Sequence, residues 1–258
     1  MPKPDTTLVK PADMTQAIGL LTRLPLTTYL PRPDPTRAIA ASAWAWPIVG
    51  AGLGLLAGLA GLLATTFGAS AGSAAGVTLA TMMLLTGALH EDGLADTADG
   101  LWGGQNKERR LEILKDSRVG SYGVLALTLA TILRWSAITM LFQTGWVLAP
   151  LMAMAALSRL PMVLLLASLP NARGSGLAAT TGRPAAATLL LAVAIGLIGS
   201  LALTGWAVIA AAFWIALTTI ALAALAKAKI GGQTGDILGA SQQLAEVAAL
   251  TVFAAILT

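Results

Sequence analysis

The sequence predicts an all-α fold, a polytopic membrane helical bundle of about seven transmembrane helices with its active site at the cytoplasmic face. Hydrophobic residues make up 56% of the 258 residues and charged residues only 11%, whereas an ordinary soluble domain is roughly one quarter charged. The mean hydropathy is +0.78. Long apolar stretches also recur along the chain, each close to the ~20 residues that cross a hydrocarbon core.

Seven apolar stretches are long enough to span a membrane. In order, they cover 38–66, 71–90, 121–142, 146–169, 185–203, 206–226 and 240–258. Three of them carry an ionisable residue at membrane depth, namely Arg134, Arg159 and Glu246, and such groups are usually paired or functional. The first stretch holds three glycines at fourfold spacing, Gly50, Gly54 and Gly58. This small-residue stripe permits close helix approach, including self-association into a homo-oligomer.

Basic residues predict how the chain is oriented. Fourteen of the sixteen precede the first span or lie in alternate connections: Lys3, Lys10, Arg23, Arg32, Arg37, Lys107, Arg109, Arg110, Lys115, Arg118, Arg173, Arg183, Lys227 and Lys229. The opposite connections, near 67–70, 143–145 and 204–205, carry no charge. The positive-inside rule therefore predicts a multi-pass protein of the cytoplasmic (inner) membrane with its N-terminus in the cytoplasm.

The charge and cysteine content limit the classes of function. The net charge of +4 lies on one face, so it indicates topology and binding of anionic ligands, with no nucleic acid as partner. The chain has no cysteine, which excludes disulfides and thiolate metal sites. We interpret 1–258 as a single integral membrane domain. Within it, 1–37 is a cytoplasmic N-terminal segment, unlike a cleavable signal peptide, and 91–120 is a charged cytoplasmic catalytic segment.

The stretch ALHEDGLADTADGLWGG, residues 88–104, gathers acids directly after an apolar run. If the second helix continues past His90, then Asp92, Asp96 and Asp99 lie on one stripe. Two carboxylates about 4 Å apart repel by roughly 4 kcal/mol at an effective dielectric near 20, so the cluster needs a cation. Oxygen ligands indicate Mg²⁺, with Mn²⁺ as the alternative. The neighbouring glycines, Gly93 and Gly100, would let a bulky ligand approach the backbone.

Two simpler interpretations remain open for this stretch. The acids could form a solvated helix end with no ligand. His90 could be a hydrogen-bonded structural residue instead of lying beside the metal.

The segment NKERRLEILKDSRVGSYG, residues 106–123, predicts a short amphipathic helix that ends at a glycine turn. Lys115, Asp116, Ser117 and Arg118 follow it at the membrane edge. A guanidinium matches a phosphate bidentately, and the turn at Gly120 can add backbone donors, so Arg118 is a candidate phosphate ligand. The alternative for the basic residues of the helix is contact with anionic lipid headgroups.

A third polar segment, KIGGQTGDILGA at 229–240, places one acid, Asp236, among glycines. This pattern indicates a backbone that passes close to a ligand, and an ordinary interhelical loop is the alternative. Arg159 at membrane depth, together with Arg173 and Arg183, would complete a basic lining.

Together these segments identify the chain as similar to the cobalamin synthase family, adenosylcobinamide-GDP ribazoletransferase. HEDGLADTADG resembles the family pattern HxDGxADxxDG, LEILKDSRVGSYG resembles KDSRxGxxG, and GGQTGDILGA resembles GGxTGDxLGA. LLTRLP at 20–25 and WPIVG at 46–50 extend the resemblance over nearly the whole chain. One departure is that Trp44 and Trp46 stand where phenylalanine or tyrosine is expected, which affects packing and leaves the chemistry untouched.

The resemblance implies an enzyme, a Mg²⁺-dependent phosphotransferase that acts late in vitamin B12 assembly. It implies adenosylcobinamide-GDP and α-ribazole, or its 5′-phosphate, as substrates, with adenosylcobalamin, or its 5′-phosphate, and GMP as products. The family is also similar to CDP-alcohol phosphotransferases, whose DxxDG segment corresponds to Asp96, Asp99 and Gly100. The remaining CDP-alcohol pattern is absent.

Roles follow for the residues of the three segments. The metal ligands would be Asp92, Asp96 and Asp99, and Asp236 would either join them or orient the ribazole hydroxyl as general base. Lys115 and Arg118 would neutralise phosphate oxygens. The remaining expected substrate contacts are His90, Gly100, Asp116, Ser117, Gly120, Arg159 and Arg173. Asp96→Ala and Asp99→Ala are each expected to remove most activity, and Lys3→Ala to have no effect.

Other classes of membrane protein share part of this pattern. A CDP-alcohol phosphotransferase or an aspartate-rich prenyltransferase would also use clustered aspartates beside the bilayer. A transporter could use the intramembrane charges, but transporters commonly contain two related halves. No repeat of that length is visible in the sequence, which favours an enzyme.

Overall fold

A computed structural model describes residues 7–257 of the protein. Lys3, for which a silent substitution is expected, lies outside the described residues. Within that range the chain forms α-helices and short 3₁₀ turns, with an isolated β-bridge between Asn171 and Gln233. The helices are α1 (Pro11–Leu21), α2 (Trp46–Thr66), α3 (Ala71–Thr86), α4 (Leu89–Gly103), α5 (Lys107–Ile113), α6 (Ser121–Thr144), α7 (Leu148–Leu157), α8 (Leu160–Ser168), α9 (Leu177–Thr181), α10 (Ala186–Thr204), α11 (Ala207–Ile230) and α12 (Gly235–Leu257).

The predicted membrane architecture is confirmed. Among residues 7–257, six helical segments are long and apolar enough to cross a membrane: Ile39–Thr66, Ser121–Thr144, Leu148–Ser168, Ala186–Thr204, Ala207–Ile230 and Gly235–Leu257. The pair α3 and α4 adds a seventh if it is counted as one bent span. Most ends agree with the predicted spans to within a few residues. The last helix begins five residues earlier than predicted, so Asp236 lies in its first turn.

The second predicted span does not continue straight through His90. Gly87 and Ala88 both adopt left-handed backbone conformations, with φ of 66° and 55°, and α4 turns 88° from α3. Glycine adopts this conformation readily, whereas alanine does so at a cost of about 1 kcal/mol or more. The chain therefore leaves the membrane-crossing direction after α3, and α4 runs across the end of the bundle.

The glycine stripe of α2 packs against α7 of the same chain. A Cβ atom on Gly54 would lie 2.8 Å from the Leu151 carbonyl carbon, and one on Gly58 would lie 2.8 Å from Leu148 Cδ2. A Cβ on Gly50 would likewise collide with the Ala155 backbone. Only glycine admits so close an approach. The stripe is thus used within the chain and does not offer its surface to a second copy.

The N-terminal helix α1 is held to the bundle by a buried carboxylate. Asp13 pairs with Arg37 through Nε at 2.7 Å and Nη2 at 2.9 Å. Trp44 Nε1 donates to the same carboxylate at 2.9 Å. Burial of Asp13 by itself raises its pKa, but the bonds from Arg37 and Trp44 outweigh burial and lower the pKa below its ordinary value. The indole at position 44 supplies a hydrogen bond that phenylalanine could not.

We predict that Asp13→Ala destabilises the protein because it leaves Arg37 buried without its carboxylate. The expected loss is about 3 kcal/mol, measured as a lower midpoint of thermal unfolding in detergent. Since the folded pKa of Asp13 is lowered, this contribution is complete at neutral pH and is lost as the pH falls through that folded pKa. Glu108→Gln, at an exposed carboxylate of α5, is the matched control and should not shift the midpoint. Equal midpoints for the two variants would contradict the role of Asp13.

Candidate functional site

The three aspartates of the acidic stretch lie along α4, one continuous helix. Their burial increases along it: Asp92 is exposed, Asp96 is half-buried and Asp99 is buried. The carboxylates of Asp92 and Asp96 make no hydrogen bond or ion pair with any residue from 7 to 257. These two acids therefore remain available to a ligand.

The surroundings of Asp96 disfavour the ionised form of its carboxyl group. Burial, and then repulsion from Asp92 and Asp236, raises the pKa of Asp96 to about 7. Arg173 opposes this increase without cancelling it. The position is thus one where a bound cation would relieve repulsion between carboxylates.

Asp99 has a structural partner that the sequence did not reveal. Its carboxylate accepts hydrogen bonds from the Gly120 amide at 2.7 Å and the Gly123 amide at 2.9 Å. These amides belong to the first turn of α6, where backbone donors lack helical partners. The backbone donor expected to bind phosphate at Gly120 is used by Asp99 instead. Asp99 therefore joins α4 to the start of α6.

Gly93 and Gly100 were expected to let a ligand approach the backbone, but in the structure other parts of the protein occupy the space beside them. A Cβ on Gly93 would lie 2.9 Å from the Asp236 carbonyl oxygen and 3.1 Å from the Gly239 Cα. A Cβ on Gly100 would lie 2.9 Å from Leu114 Cδ2. These contacts press α4 against α12 and against the end of α5. As a consequence, Asp92 and Asp96 of α4 lie close enough to Asp236 to interact with its charge.

Asp236 is paired with Arg173, which lies 63 residues earlier in the chain. Arg173 Nη2 donates to Asp236 Oδ2 at 2.7 Å and to the Leu114 carbonyl oxygen at 2.7 Å. Thr234 Oγ1 also lies 3.2 Å from Asp236 Oδ2. The pair is largely buried, with side-chain exposures of 13% and 18%. Because a guanidinium already neutralises Asp236, this carboxylate is a poorer ligand for a second cation than Asp92 or Asp96.

The Arg173–Asp236 pair and Asp92 line one cavity. These residues give the cavity a charged part of its lining, and the start of α12 at Gly235 also contributes to it. The apolar part of the lining includes Leu20 of α1, Trp46 of α2, Met162 of α8 and Leu177 of α9. His90 lines the cavity as well. Residues from all three polar segments of the sequence thus meet around one space or beside it.

The loop after α5 is open to solvent. Arg118 is 87% exposed and pairs with Asp116 at 2.8 Å, a bond that lowers the pKa of the Asp116 carboxyl. Lys115 and Ser117 are also exposed. An exposed ion pair of this kind contributes little to stability. These side chains are therefore free to rearrange around a phosphate.

Arg159 occupies a different place from the phosphate contact expected of it. It is fully buried, and its Nη1 donates to Glu246 Oε1 at 3.3 Å. Arg134 bridges Glu246 Oε2 at 2.8 Å and Glu91 Oε1 at 3.2 Å. Arg159 is thus part of a buried ion-pair network. This pairing is expected, because an unpaired charge at membrane depth would be costly.

Glu91 is the network residue that the sequence interpretation missed. It lies in the first turn of α4, beside Asp92, and also accepts a hydrogen bond from Gln243 at 3.1 Å. A signal was present, since the spans contained two arginines and one glutamate and so required a further acid. His90 is buried near the two arginines, and no described residue hydrogen-bonds to its Nε2.

The described residues supply an incomplete metal site. No group of three or more histidine, cysteine, aspartate or glutamate side chains within 7–257 converges closely enough to hold an ion. Asp92 and Asp96 are unpartnered and mutually repulsive, and they fit a divalent cation that takes its other ligands from substrate phosphates and water. This is the usual way in which proteins bind Mg²⁺.

The chain is similar in sequence to proteins of one family. The sequence pattern of the family described as Cobalamin-5-phosphate synthase matches residues 13–254. A protein of Bradyrhizobium diazoefficiens named adenosylcobinamide-GDP ribazoletransferase is 42% identical over 245 residues, covering 95% of this chain and 94% of that protein. Proteins of the same name from Mesorhizobium japonicum and Brucella ovis are 40% and 39% identical, over 87% and 92% of this chain and 88% and 94% of theirs. No solved structure matches the chain.

We predict that Asp96→Ala and Asp99→Ala differ in stability even where both lower activity. Asp99→Ala removes two hydrogen bonds to a buried carboxylate and should cost about 1–3 kcal/mol. Asp96→Ala removes only repulsion and should leave the midpoint of thermal unfolding unchanged or raise it. Unfolding of both purified variants in the same detergent tests this. A larger loss of stability in Asp96→Ala would show that the assignment of the two carboxylates is wrong.

Proposed function

The chain belongs to the cobalamin-5-phosphate synthase family, and we propose that its active site is the cavity edge where Asp92 and Asp96 face the Arg173–Asp236 pair. One observation carries this placement: the unpartnered Asp92 and the buried Arg173–Asp236 pair, from distant parts of the chain, line one cavity. Asp96 lies near enough to Asp92 and Asp236 for their charges to raise its pKa. Negative and positive groups in such proximity suit a substrate that carries a diphosphate.

The activity is that of an adenosylcobinamide-GDP ribazoletransferase. The adenosylcobinamide phosphate group passes from adenosylcobinamide-GDP to α-ribazole or its 5′-phosphate, forming adenosylcobalamin or its 5′-phosphate in cobalamin biosynthesis. A ribazole hydroxyl oxygen forms a bond to the phosphorus that bears cobinamide. The bond from that phosphorus to the bridging oxygen breaks, and GMP leaves with the bridging oxygen. The hydroxyl proton is released to a nearby carboxylate and then to water.

Asp92 and Asp96 are the residues that would hold Mg²⁺, or Mn²⁺ in its place. Both carboxylates are unpartnered, and the repulsion that raises the pKa of Asp96 would be relieved by a cation. When bound, the ion would polarise phosphoryl oxygens and offset the charge that develops on them. Asp99 supplies negative charge nearby while it holds the start of α6.

The Arg173–Asp236 pair has the geometry of an acceptor-orienting group. Asp236 Oδ2 is occupied by Arg173 and Thr234, which leaves Oδ1 for a hydroxyl. Of the two roles open to Asp236, orientation of the attacking hydroxyl is therefore favoured over metal binding. Arg173 also places positive charge next to the reacting phosphate, where it would stabilise the transition state.

The exposed loop 115–118 would receive the donor diphosphate. The Lys115 ammonium group makes no hydrogen bond or ion pair with the part of the chain that is described, and the Arg118 guanidinium is held only by Asp116 at the surface. Exchange of the Asp116 pair for a phosphate replaces one charge-assisted bond with another. Ser117 would add a hydroxyl donor. These roles preserve the expectation for Lys115 and Arg118 as phosphate ligands.

The site faces the cytoplasm of the cell if the positive-inside rule holds. The connections at the opposite end, residues 67–70, 145–147 and 205–206, carry no charge, whereas basic residues crowd the end that holds α4 and α5. This asymmetry supports insertion in the inner membrane with a cytoplasmic N-terminus. Nucleotide substrates would then reach the site without crossing the bilayer.

We predict that purified protein releases GMP from adenosylcobinamide-GDP and α-ribazole phosphate only when Mg²⁺ is present. Asp92→Asn and Asp96→Asn should each lower kcat/KM by about 100-fold or more, because each removes a ligand charge. They should also raise the Mg²⁺ concentration at half-maximal rate. Asp236→Asn should lower kcat and leave that concentration unchanged. Glu108→Gln is the matched surface control and should behave as wild type.

Two results would contradict the proposal. The first is GMP release by Asp96→Asn at the wild-type rate and with the wild-type Mg²⁺ requirement, which would remove the metal role. The second is turnover of a CDP-linked lipid with no release of GMP, which would indicate a CDP-alcohol phosphotransferase.

A further inference from the structure

We propose that the cavity beside α4 is the subsite for the acceptor nucleoside, with the aromatic base of ribazole on its apolar wall. This inference rests on the proposed function and adds which substrate enters the cavity and in which orientation. The acceptor is a ribonucleoside whose base is a flat, fused and largely apolar ring. It therefore has one apolar end and one end with hydroxyl groups.

The lining of the cavity likewise combines charged and apolar groups. Asp92, Arg173 and Asp236 supply the charged groups, and side chains of α1, α2, α8 and α9 supply an apolar wall. Trp46 is informative, because its indole N–H already lies 3.2 Å from Ser42 Oγ. Trp46 is only 1% exposed, so it contributes the edge of an aromatic ring to the apolar lining, where it can contact a flat ring. Met162 contributes an adaptable apolar side chain.

The size of the cavity excludes the corrinoid half of the donor. Its volume is about 160 Å³, within a wider space of about 790 Å³ that includes open solvent. This volume is smaller than the roughly 300–1,000 Å³ of sites that enclose a whole molecule of drug size, so the cavity admits one ring system while the rest of the nucleotide lies in the open part. A corrin ring with an adenosyl ligand and a nucleoside diphosphate is several times larger. Only the acceptor, or the guanosine of the donor, could enter.

The lining favours the ribazole base over guanine. Guanine presents several hydrogen-bond donors and acceptors, and burying them without partners is costly. Asp92 and Asp236 are assigned to the phosphate chemistry, and Ser175 and Thr181 of the lining supply only two hydroxyl groups. The Thr181 hydroxyl already donates to the Leu177 carbonyl oxygen at 2.7 Å. The apolar wall of Leu20, Leu177 and Met162 satisfies none of the guanine groups. An apolar base loses no hydrogen bonds there and gains from the removal of its surface from water.

An acceptor bound in the cavity would also meet the geometric requirement of phosphoryl transfer. Phosphoryl transfer requires the attacking and leaving oxygens to lie roughly in line, on opposite sides of the phosphorus. Asp92 and Asp236 line the cavity, whereas Lys115 and Arg118 lie outside it on the exposed loop. The hydroxyl would approach from the cavity and GMP would depart on the side of the loop. The acceptor would therefore bind in the cavity and the diphosphate of the donor beside the loop.

The experiment measures KM for both substrates after the apolar wall is trimmed. The variants are Leu20→Ala and Leu177→Ala, because both leucines lie on helices outside the membrane spans. Leu177 is 49% exposed, so its replacement should not prevent folding. Each variant should raise KM for α-ribazole phosphate about fivefold to twentyfold, from loss of apolar contact. KM for adenosylcobinamide-GDP should change by less than about twofold. Leu217→Ala, at a 47% exposed leucine of α11, is the matched control.

A second measurement separates base recognition from a structural effect. Wild type should prefer the dimethylated base of ribazole over the same nucleoside with an unsubstituted benzimidazole, because the methyl groups meet the apolar wall. In the double variant Leu20→Ala/Leu177→Ala this ratio of kcat/KM values should fall about tenfold, towards unity. General loosening of the protein would lower both values and leave their ratio unchanged.

Three outcomes would overturn the inference. A rise in KM for adenosylcobinamide-GDP alone would place the guanosine in the cavity. Unchanged constants for both substrates would show that neither uses the apolar wall. An unchanged base preference in the double variant would remove the assigned contact. In each case wild-type release of GMP would leave the proposed function standing, whereas absence of GMP in wild type would refute that function itself.

Discussion

The contact between Gly93 of α4 and Gly239 of α12 is the constraint on which the site depends. A side chain on Gly93 would collide with the backbone of Asp236, and one on Gly239 would crowd the His90 backbone at 3.3 Å. Because two glycines meet here, the helices approach closely and Asp236 lies near two aspartates of α4. The 88° turn before α4 aims this acidic helix across the bundle end. The carboxylates that we propose for the active site are thereby gathered at one place.

Buried ion pairs form a second connection between α4 and α12. Glu91 of α4 is joined through Arg134 of α6 to Glu246 of α12, so three helices share one network next to Asp92. Such networks are stable only when their charges are paired. Arg159 completes the pairing of Glu246. The intramembrane charges that first resembled a transport path are therefore consistent with support for the acidic helix.

The sequence predicted the membrane spans well because a single quantity, apolar length, determines them. It also predicted that Asp92, Asp96, Asp236 and Arg173 belong to one site, and the structure brings Asp92, Arg173 and Asp236 to one cavity. It did not predict the turn at Gly87 and Ala88, because hydropathy does not depend on the sign of the backbone φ angle. The pairing of Arg173 with Asp236 and the use of Asp99 at the α6 start were also missed. Both depend on contacts between residues far apart in the chain.

We propose that a divalent cation lies between the acidic face of α4 and the diphosphate of the donor. The most direct measurement is a structure of the protein with Mn²⁺ and an uncleavable analogue of the donor, in which anomalous scattering locates the ion. The account predicts an ion within about 2.5 Å of carboxylate oxygens of Asp92 and Asp96 and of the diphosphate. An ion bound elsewhere, or side chains of Asp92 and Asp96 directed into solvent while the donor is bound, would contradict it.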